Sequence, residues 1–471
     1  MHFIGIGGTG LSAIARVLLE SGYTVSGSDR NLSPLAKSLQ EAGVRVNVGH
    51  RPENIEGADV VVRSSAIPDD NIEVSAARQL GIPVLKRSEF LSTLMSGRMG
   101  IAVAGTHGKT TTTAMIAWML TSLGQDPTYI VGGVLKNLGS NAHAGTGQAF
   151  VIEADEYDYM FLGLKPHIAV ITNIEHDHPD CFPTPEDYFR AFDDFAAQLG
   201  EDGTLLLCTN DGGAARLCQV AKARGQKVLT YAVRYSNNGC SNQPNYYTAE
   251  TFTPNLNGGL SFEAVCTTPG SQREVHALVN LRVPGRHNVQ NALAALAVAH
   301  LLDLPIDQAS QALSEYRGTG RRFEVRAEVN GIIVIDDYAH HPTEIRATLS
   351  AARMRFPRSR LWVVWQPHTY SRTRLLLHDF IAAFEQADHI LVTEIYAARE
   401  QPPQDGFSSQ QIVAAITYPN AICIPDFSQA VKFLLDRLIP GDVLLVLSAG
   451  DADQISARVV EQLNERRKAG D

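Results

Sequence analysis

The chain has 471 residues and a formal net charge of -10 at pH 7. This length exceeds what one hydrophobic core supports, so about three domains are expected. The acidic balance argues against a nucleic-acid-binding or anionic-membrane-binding surface, and any bound polyphosphate must meet locally concentrated Lys, Arg and metal. We therefore expect function to reside in clefts, with neither nucleic acid nor membrane as a partner.

Cysteine content and hydropathy predict a cytoplasmic protein. The six cysteines, at positions 181, 208, 218, 240, 266 and 423, include no C-x-x-C pair, and a disulfide framework would be unusual in a chain of this size. The sequence opens MHFIGIG, without a basic leader segment. No apolar run approaches the roughly 18 residues that a membrane span requires.

Strand-like apolar runs alternate with turns and amphipathic helices, a pattern typical of parallel sheets covered by helices. We predict an α/β protein with a Rossmann-like parallel sheet in 1–95, a central P-loop ATPase sheet with small antiparallel hairpins in 96–314, and a C-terminal Rossmann-like sheet in 315–471. The hairpins are predicted in 235–272, where YYTAETF and LSFEAVC flank an Asn-Gly turn. The glycine-containing segment YRGTGRR, 316–322, is the predicted hinge.

A glycine-rich loop follows the first predicted strand. Gly5, Gly7 and Gly10 fit G-x-G-x-x-G, and Asp29 ends the next strand about twenty residues on. This pattern lets a pyrophosphate approach the backbone at a helix N-terminus while a carboxylate accepts hydrogen bonds from hydroxyl or N–H groups. NAD, FAD and a nucleotide sugar all fit, and close strand–helix packing without a ligand is the alternative. Ser65, in the segment RSSAIP after a later strand, would lie at the same rim.

A second glycine loop lies in IAVAGTHGKTTTT, 101–113. Gly105 and Gly108 allow N–H groups to converge on an anion, Lys109 adds a mobile positive charge, and Thr110 offers a hydroxyl to phosphate-bound Mg²⁺. The first glycine comes two residues later than in G-x-x-x-x-G-K-[ST], so the loop is compressed. We predict ATP or GTP as the energy source, with an accidental glycine-rich turn as the alternative.

Two acidic segments end strands downstream of this loop. EADE, 153–156, follows the run AFVI, and NIEHDH, 173–178, follows IAVIT. Ligands bind at the carboxyl ends of strands in such sheets, and carboxylate oxygens suit Mg²⁺. Zinc is less favoured because no C-x-x-C pair accompanies the histidines. A solvated loop or a helix cap is the alternative for any single acid.

Further polar clusters lie downstream. Asn288 and Asn291 are i, i+3 neighbours at the start of an alanine-rich helix and could contact a base, although Asn288 as a plain N-cap is the alternative. In the third block, the segments DDYAHHP, 336–342, and QPHTYSRT, 366–373, both end strands, which predicts a binding cleft.

As a set, these residues resemble the Mur ligases, the ATP-dependent amino-acid ligases that build the bacterial cell-wall peptide. GTHGKTTTT, EADEYD, NIEHDH, GRHNVQNALAA and DDYAHHPTEI occur in family order, and the resemblance covers essentially the whole chain. GIGGTGLSAIA, SSAIP, GTGRRFE, QPHTYSRTR and LSAGDADQI are most similar to the branch that joins L-alanine to UDP-N-acetylmuramate. The alternative is the recycling branch, which attaches a preformed tripeptide.

The resemblance implies a role for each motif. The UDP part would be held by Gly7, Gly8, Thr9, Gly10, Asp29 and Ser65. ATP would be held by Gly105, Thr106, Gly108, Lys109, Thr110, Thr111, Asn288, Asn291, Arg322 and Asp337. Two Mg²⁺ ions are expected, with Thr110, Glu153 and His178 as ligands. Lys109, Glu153, His178 and His340 would be catalytic, and His340, His368 and Arg372 would lie at the amino-acid end.

One departure from the family concerns the second metal. Several Mur ligases use a carbamoylated lysine there, but no lysine lies between Lys165 and Lys222, so we expect an acid or water instead. The partners implied are UDP-N-acetylmuramate, L-alanine and ATP, with the chain a monomer or homodimer. Two other classes stay open: a nicotinamide-dependent oxidoreductase built on the first glycine loop, and a non-catalytic protein switched by ATP.

Overall fold

The computed structural model describes residues 1–234, 246–268, 270–271, 273–416 and 421–469. These residues form a three-domain α/β protein with one sheet per domain, as the sequence predicts. Parts of the 235–272 stretch, namely 235–245, 269 and 272, lie outside the described residues, as does Cys240. The domain boundaries at 95/96 and 314/315 stay predictions.

The N-terminal sheet is fully parallel, with strand order β3-β2-β1-β4-β5. Its strands are β1 (His2–Ile4), β2 (Ser26–Asp29), β3 (Arg45–Val48), β4 (Val61–Arg63) and β5 (Val84–Lys86). Its helices are α1 (Thr9–Glu20), α2 (Pro34–Glu41), α3 (Ile72–Gln79) and α4 (Arg87–Leu94), with a 3-10 turn at Pro52–Ile55. The first glycine loop therefore joins β1 to α1, as its motif requires.

The central sheet has ten strands in the order β15-β14-β13-β12-β11-β10-β6-β9-β7-β8. The strands are β6 (Met99–Ala104), β7 (Thr128–Leu135), β8 (Ser140–His143), β9 (Ala149–Glu153), β10 (Ile168–Ile171), β11 (Thr204–Cys208), β12 (Lys227–Val233), β13 (Tyr247–Pro254), β14 (Leu260–Thr267) and β15 (Glu274–Asn280). The helices are α5 (Lys109–Ser122), α6 (Pro185–Ala197), α7 (Gly212–Ala223), α8 (Arg286–Leu301) and α9 (Ile306–Ser314), with a 3-10 segment at Tyr157–Gly163.

Antiparallel pairing is confined to the two edges of the central sheet. The predicted hairpin is confirmed as β13–β14, with Gly258 in the left-handed region of its turn, and β15 extends it. At the opposite edge, β7 and β8 form a further antiparallel pair that the sequence did not indicate. The parallel centre keeps the carboxyl ends of β6, β9 and β10 at one rim, where both acidic segments begin.

The C-terminal sheet has the order β16-β17-β21-β18-β19-β20 and is parallel except for the β16–β17 pair. Its strands are β16 (Glu324–Val329), β17 (Ile332–Asp337), β18 (Leu361–Trp365), β19 (His389–Val392), β20 (Ala421–Cys423) and β21 (Val443–Leu447). Its helices are α10 (Pro342–Arg355), α11 (Tyr370–Leu375), α12 (Leu377–Ala383), α13 (Ser409–Ala415), α14 (Phe427–Leu435) and α15 (Asp453–Ala469).

Apolar packing joins the first two domains. Phe90 and Leu91 of α4 belong to the same buried cluster as Phe161 and Leu164 of the central domain. In the C-terminal domain, separate clusters cover the two faces of the sheet. The N-terminal domain is therefore packed against the central domain through α4.

Candidate active site

Two cavities meet at the second glycine loop. One, of about 260 Å³, lies between the loop, the start of α8 and α10. The other, of about 470 Å³, lies between the same loop and the first glycine loop on α1. Thr111 lines the first cavity, the adjacent Thr110 lines the second, and Arg322 lines both. The loop thus stands between two chambers.

The second glycine loop has the geometry of an anion site. Gly105 and Gly108 both adopt positive φ, and Gly108 precedes α5, whose N-terminus has no side-chain cap. The first N–H groups of a helix have no intrahelical partner, so those of α5 are directed at a ligand position. Thr106 differs from the other loop residues, because its buried hydroxyl bonds the Glu175 carbonyl and the Tyr188 hydroxyl. Its backbone is engaged as well, because the Thr106 N–H donates to the Asn173 carbonyl and the Thr106 carbonyl accepts from Lys109.

Lys109 is held by a buried carboxylate that the sequence did not single out. Its Nζ lies 2.9 Å from Glu156 Oε2 and also donates to the carbonyls of Gly105 and Thr106. Burial acts to lower the pKa of Lys109, but Glu156, Asp155 and Glu153 outweigh it, and the pKa is raised. The ammonium is therefore charged and positioned without a ligand.

Thr110 and Glu153 form the oxygen-rich part of the site. The Thr110 hydroxyl donates to Glu153 Oε1 at 2.8 Å, and Glu153 Oε2 accepts from the Gly132 N–H at 2.6 Å. Burial raises the pKa of Glu153 despite the opposing charge of Lys109. Because burial disfavours the charged form of this carboxylate, a nearby cation would stabilise that form.

His178 lies on the C-terminal-domain side of the same rim. Its Nε2 is 4.0 Å from Glu156 Oε1, and its Nδ1 is 3.5 Å from Arg372 Nη2. Arg372 forms a buried ion pair with Asp177, Nε to Oδ1 at 2.7 Å, and contacts His368 Nδ1 at 3.0 Å. His340 joins the group through a ring contact with His368. The structure thus unites all of the predicted amino-acid-end residues, and adds Asp177.

Zinc binding by the His-Asp-His segment is not supported. His176 Nε2 bonds the Phe182 carbonyl and does not converge with His178. In the part of the chain that the structure describes, one group of three His, Cys, Asp or Glu donors lies within 4.8 Å: His107, Glu175 and His341. Both ring nitrogens of His107 already contact carboxylates.

Asn288 is not the N-cap of α8, so that alternative is wrong. Gly285 occupies the cap position with φ 97° and ψ 140°, a backbone conformation that glycine adopts readily. Asn288 donates to the Pro284 carbonyl and accepts from Asn291, whose own oxygen accepts from Thr112. Both amides line the smaller cavity, but their hydrogen bonds fasten α8 to α5.

Arg322 and Asp337 reach the site from beyond the predicted hinge. Arg322 Nη2 lies 3.5 Å from the Thr110 hydroxyl, and Arg322 also packs on the Tyr338 ring. Asp337 lines the smaller cavity, yet its carboxylate accepts from the N–H groups of Phe323 and Ala339. Burial raises the pKa of Asp337. Arg322 therefore faces the phosphate loop directly. The hydrogen bonds of the Asp337 carboxylate, in contrast, are made within the C-terminal domain.

A buried ionic network, which the sequence did not predict, links the second glycine loop to α10. His107 Nε2 lies 2.8 Å from Glu175 Oε2, and its Nδ1 lies 3.3 Å from Glu344 Oε1. The Thr343 hydroxyl also donates to Glu175. His107 and Glu344 are 237 positions apart, so no local pattern reveals the pair. The capping-box position of Glu344 in HHPTEI predicts only its role at the helix start.

We expect this network to make the folded protein less stable as the pH rises into the alkaline range. Burial acts to lower the pKa of His107, but Glu175 and Glu344 outweigh it and raise the pKa to about 9; the nearby His341 stays neutral with a pKa of about 4. A histidine with a raised folded-state pKa stabilises fully below its unfolded value of about 6.5, and loses that contribution as pH rises through about 9. Thermal melts across this range should show the decline.

His107→Gln is the matched variant for this test. It removes the titrating group while keeping a polar side chain, so its melting temperature should vary less between pH 6.5 and 9.5 than that of the wild type. Parallel curves for the two proteins would contradict the assignment. A Glu344→Gln variant should also flatten the curve, since it removes one of the two partners.

The carboxylate of Asp29 accepts a hydrogen bond from the backbone of the first glycine loop. The Gly7 N–H donates to Asp29 Oδ2 at 2.9 Å, and Ser33 donates to the Gly7 carbonyl. Gly10 and Thr9 line the larger cavity, whereas Ser65 is exposed at the end of the β4 loop. Of the predicted UDP residues, Thr9 and Gly10 therefore line the cavity, and Asp29, at the end of β2, bonds the loop at Gly7.

Backbone hydrogen bonds attach the predicted hinge, residues 316–322, to the end of β7. Thr319 forms an antiparallel bridge with Leu135, and the Gly320 N–H donates to the Val134 carbonyl at 2.9 Å. Asn137 bonds the backbone of Glu315 and Arg317. These contacts fix the approach of Arg322 to the phosphate loop.

Comparison with known families decides the identity of the chain. Models described as Mur ligase family, catalytic domain; Mur ligase middle domain; and Mur ligase, glutamate ligase domain match residues 1–99, 103–299 and 321–450. The chain belongs to the Mur ligase family. The relatives of this Mur ligase include the UDP-N-acetylmuramate--L-alanine ligases of Roseiflexus castenholzii, 41% identical, and Renibacterium salmoninarum, 43% identical. Each alignment covers 98% of this chain, and 97% and 96% of the relatives.

Solved structures similar to this Mur ligase come from two kinds of ligase. It is similar to the UDP-N-acetylmuramate-alanine ligase of Thermotoga maritima, with a TM-score of 0.78 and 29% identity over 98% of this chain and 99% of that one. The murein peptide ligase of Psychrobacter arcticus has a TM-score of 0.71 and 27% identity, with 98% of both chains covered. Within the described residues, no helix is long and apolar enough to cross a membrane.

Proposed function

We propose that this Mur ligase joins L-alanine to the carboxylate of UDP-N-acetylmuramate, with hydrolysis of ATP to ADP and phosphate, in peptidoglycan precursor synthesis. The names of the relatives at 41–43% identity support the choice of substrates. The observation that carries the proposal is that Thr110 and Thr111 line different cavities. A phosphoryl group can pass between two substrates only where their chambers meet, and they meet at this loop.

ATP would occupy the smaller cavity with its phosphates at the start of α5. Gly105, Thr106, Gly108 and Thr111 would surround the phosphates, and Lys109 would contact the β- and γ-phosphoryl groups. The purine would lie against the side chains at the start of α8, where Asn288 and Asn291 are already fixed by hydrogen bonds. Arg322 and Asp337 would close the site from the C-terminal domain.

Mg²⁺ fits the donor set on the Thr110 side of the loop. The Thr110 hydroxyl and the Glu153 carboxylate are hard oxygen ligands 2.8 Å apart, and burial leaves Glu153 short of compensating charge. We propose these two residues and His178 as ligands, with two ions in all. When bound, Mg²⁺ would neutralise phosphate charge. No lysine lies between Lys165 and Lys222 to serve as a carbamoylated ligand after the NIEHDH segment, so an acid or water would complete the second site.

The chemistry requires activation of a carboxylate. A sugar carboxylate oxygen would attack the γ-phosphorus of ATP, releasing ADP and forming an acyl phosphate. The amine of L-alanine would then attack the acyl carbon, lose a proton, and expel phosphate from a tetrahedral intermediate. Lys109 would stabilise charge on the phosphoryl group throughout. Arg372, His368 and His340 would hold the amino acid, with burial and the charges of His340 and Arg372 keeping His368 neutral at a pKa of about 3.

Domain closure would exclude water from the acyl phosphate, which hydrolyses if exposed. The contacts of Arg322 with Thr110, of Thr343 with Glu175, and of Arg372 with Asp177 all cross from the C-terminal to the central domain. An arrangement lacking them would be nearly inactive. The hinge would act near residues 316–322.

The deciding experiment measures phosphate release from ATP, Mg²⁺ and UDP-N-acetylmuramate, with L-alanine added or withheld, followed by mass analysis. Alanine-dependent release and a product heavier by one alanyl residue are expected. A response to the tripeptide but not to alanine would instead indicate the recycling ligase. ATP binding without turnover would support the ATP-switched protein, and binding of NAD would support the oxidoreductase.

Asp29→Ala is expected to weaken binding of UDP-N-acetylmuramate by about tenfold or more while sparing ATP, because it removes a carboxylate acceptor from the first glycine loop. Isothermal titration with each ligand measures this. Asp29→Asn is the matched control, since it keeps one oxygen for the Gly7 N–H and should lose less affinity. A selective loss of ATP affinity would contradict the domain assignment.

Cytoplasmic location and a monomeric or homodimeric state stay predictions from the sequence. Light scattering across a concentration series measures the second.

A further inference from the structure

Arg87 lies directly over the first glycine loop. It is the first residue of α4, and its guanidinium occupies the space that a side chain on Gly10 would need: a Cβ there would lie 1.7 Å from Arg87 Nη1. Any residue with a side chain at position 10 would therefore clash with Arg87. The absence of a Cβ lets a cation sit against the N-terminal turn of α1.

The guanidinium has weak partners in this position. Nη2 donates to Asp155 Oδ2 at 3.1 Å, and Nε points at the Met160 sulfur at 2.9 Å. The Asp155 side chain is 44% exposed, so the ion pair is partly screened by solvent. A thioether is a poor acceptor, and a guanidinium has five N–H donors arranged in a fork that matches phosphate oxygens. Arg87 is thus positioned but not strongly engaged.

Of the cations that line the larger cavity, Arg87 lies nearest to the first glycine loop. Among the described lining residues, the other cations are Arg321 and Arg322. Arg321 donates to the carbonyls of Ser448 and Gly450, and Arg322 faces Thr110. A diphosphate carries at least two negative charges, and a helix N-terminus supplies only about half a positive charge. In a protein of net charge -10, the remaining compensation must be local.

We propose that Arg87 binds the diphosphate of the UDP-sugar, and that Asp155 holds its guanidinium in place until that ligand arrives. This proposal rests on the proposed function, since it assumes a nucleoside diphosphate on the first glycine loop. The guanidinium would exchange the Asp155 carboxylate and the Met160 sulfur for phosphate oxygens. The exchange would release Asp155, which is adjacent in the chain to Glu156, the ion-pair partner of Lys109, when the donor binds.

The test compares UDP with uridine on the full-length protein. Arg87→Met removes the charge and keeps a long side chain, and Arg87→Lys keeps the charge but not the fork. Dissociation constants for UDP, uridine and UDP-N-acetylmuramate are measured by ligand-observed NMR and titration calorimetry. We expect Arg87→Met to weaken UDP binding by about 10- to 100-fold and uridine binding by less than about twofold, with Arg87→Lys in between.

Asp155→Asn supplies the second arm. Removing the competing carboxylate should leave UDP binding unchanged or make it tighter. Equal losses for UDP and uridine in Arg87→Met would overturn the proposal in favour of a brace for the glycine loop, and unchanged UDP binding would overturn it outright. Failure of the wild type to bind UDP or UDP-N-acetylmuramate is a different result, because it would remove the proposed function itself. Melting temperatures of each variant confirm that the comparison is between folded proteins.

Discussion

Lys109→Ala is expected to lower ATP-dependent phosphate release by about 10³-fold while leaving UDP-sugar binding nearly intact. Lys109 carries the positive charge closest to the helix N-terminus that would receive the phosphates, and it is already oriented by Glu156. Its contribution should therefore appear in the phosphoryl-transfer step. The UDP-sugar would bind at the first glycine loop, which Lys109 does not contact, so calorimetry with that ligand provides the comparison.

A double variant separates this catalytic effect from destabilisation. Removing Lys109 leaves Glu156 as a buried carboxylate without its cation, which costs stability in its own right. Lys109→Met combined with Glu156→Gln removes both charges, so it should recover melting temperature without recovering turnover. Wild-type turnover in the single variant would refute the phosphate-loop assignment. Recovery of activity in the double variant would show that Lys109 acts only by neutralising Glu156.

Sequence patterns predicted the local architecture of both glycine loops. Each lies between an apolar strand and a helix, β1–α1 and β6–α5, and such junctions depend on residues close together in the chain. The hairpin β13–β14 was predictable for the same reason, since alternating residues flank a glycine turn. The three domains and their order were predicted from the alternation of strands and helices, and the Mur ligase resemblance then implied the roles of the motifs.

Two edge strands, β8 and β16, were not predicted from the sequence. β8 reads SNAH and β16 reads EVRAEV, and neither offers the apolar run that marks a buried strand. An edge strand is stabilised by pairing on one side and tolerates polar side chains. β7 also carries two adjacent glycines, one of which donates its N–H to Glu153. Here the demands of the site override strand propensity.

Long-range charge pairs account for most of what the site analysis missed. Glu156 lies 47 positions from Lys109, and Asp177 lies 195 positions from Arg372. Spacing in the chain carries no information about such contacts, because they form only when distant segments of the chain meet in the folded protein. The predicted ligand roles of the site residues stay predictions, since proximity in the fold does not by itself assign a role.

Arg372→Met is expected to weaken the contact between the C-terminal and central domains by about 3 to 5 kcal/mol. The Arg372 and Asp177 side chains are only 3% and 5% exposed, so the variant leaves a buried carboxylate without its cation. Burial acts to raise the pKa of Asp177, but Arg372 and the nearby histidines hold it well below its usual range. The lost attraction should appear as a lower melting temperature and as faster proteolysis of the 316–322 segment.

Asp177→Asn and the double variant complete a thermodynamic cycle for this pair. Each single change breaks the pair and leaves one partner buried, whereas the double change removes both charges and should cost less than the sum of the two. Additive losses would show that Arg372 and Asp177 are not energetically coupled. Ligase activity discriminates further: if Arg372 also holds the amino acid, the double variant should regain stability yet keep a raised KM for L-alanine. Recovery of both properties would restrict Arg372 to domain closure, since the charge pair would then be its whole contribution.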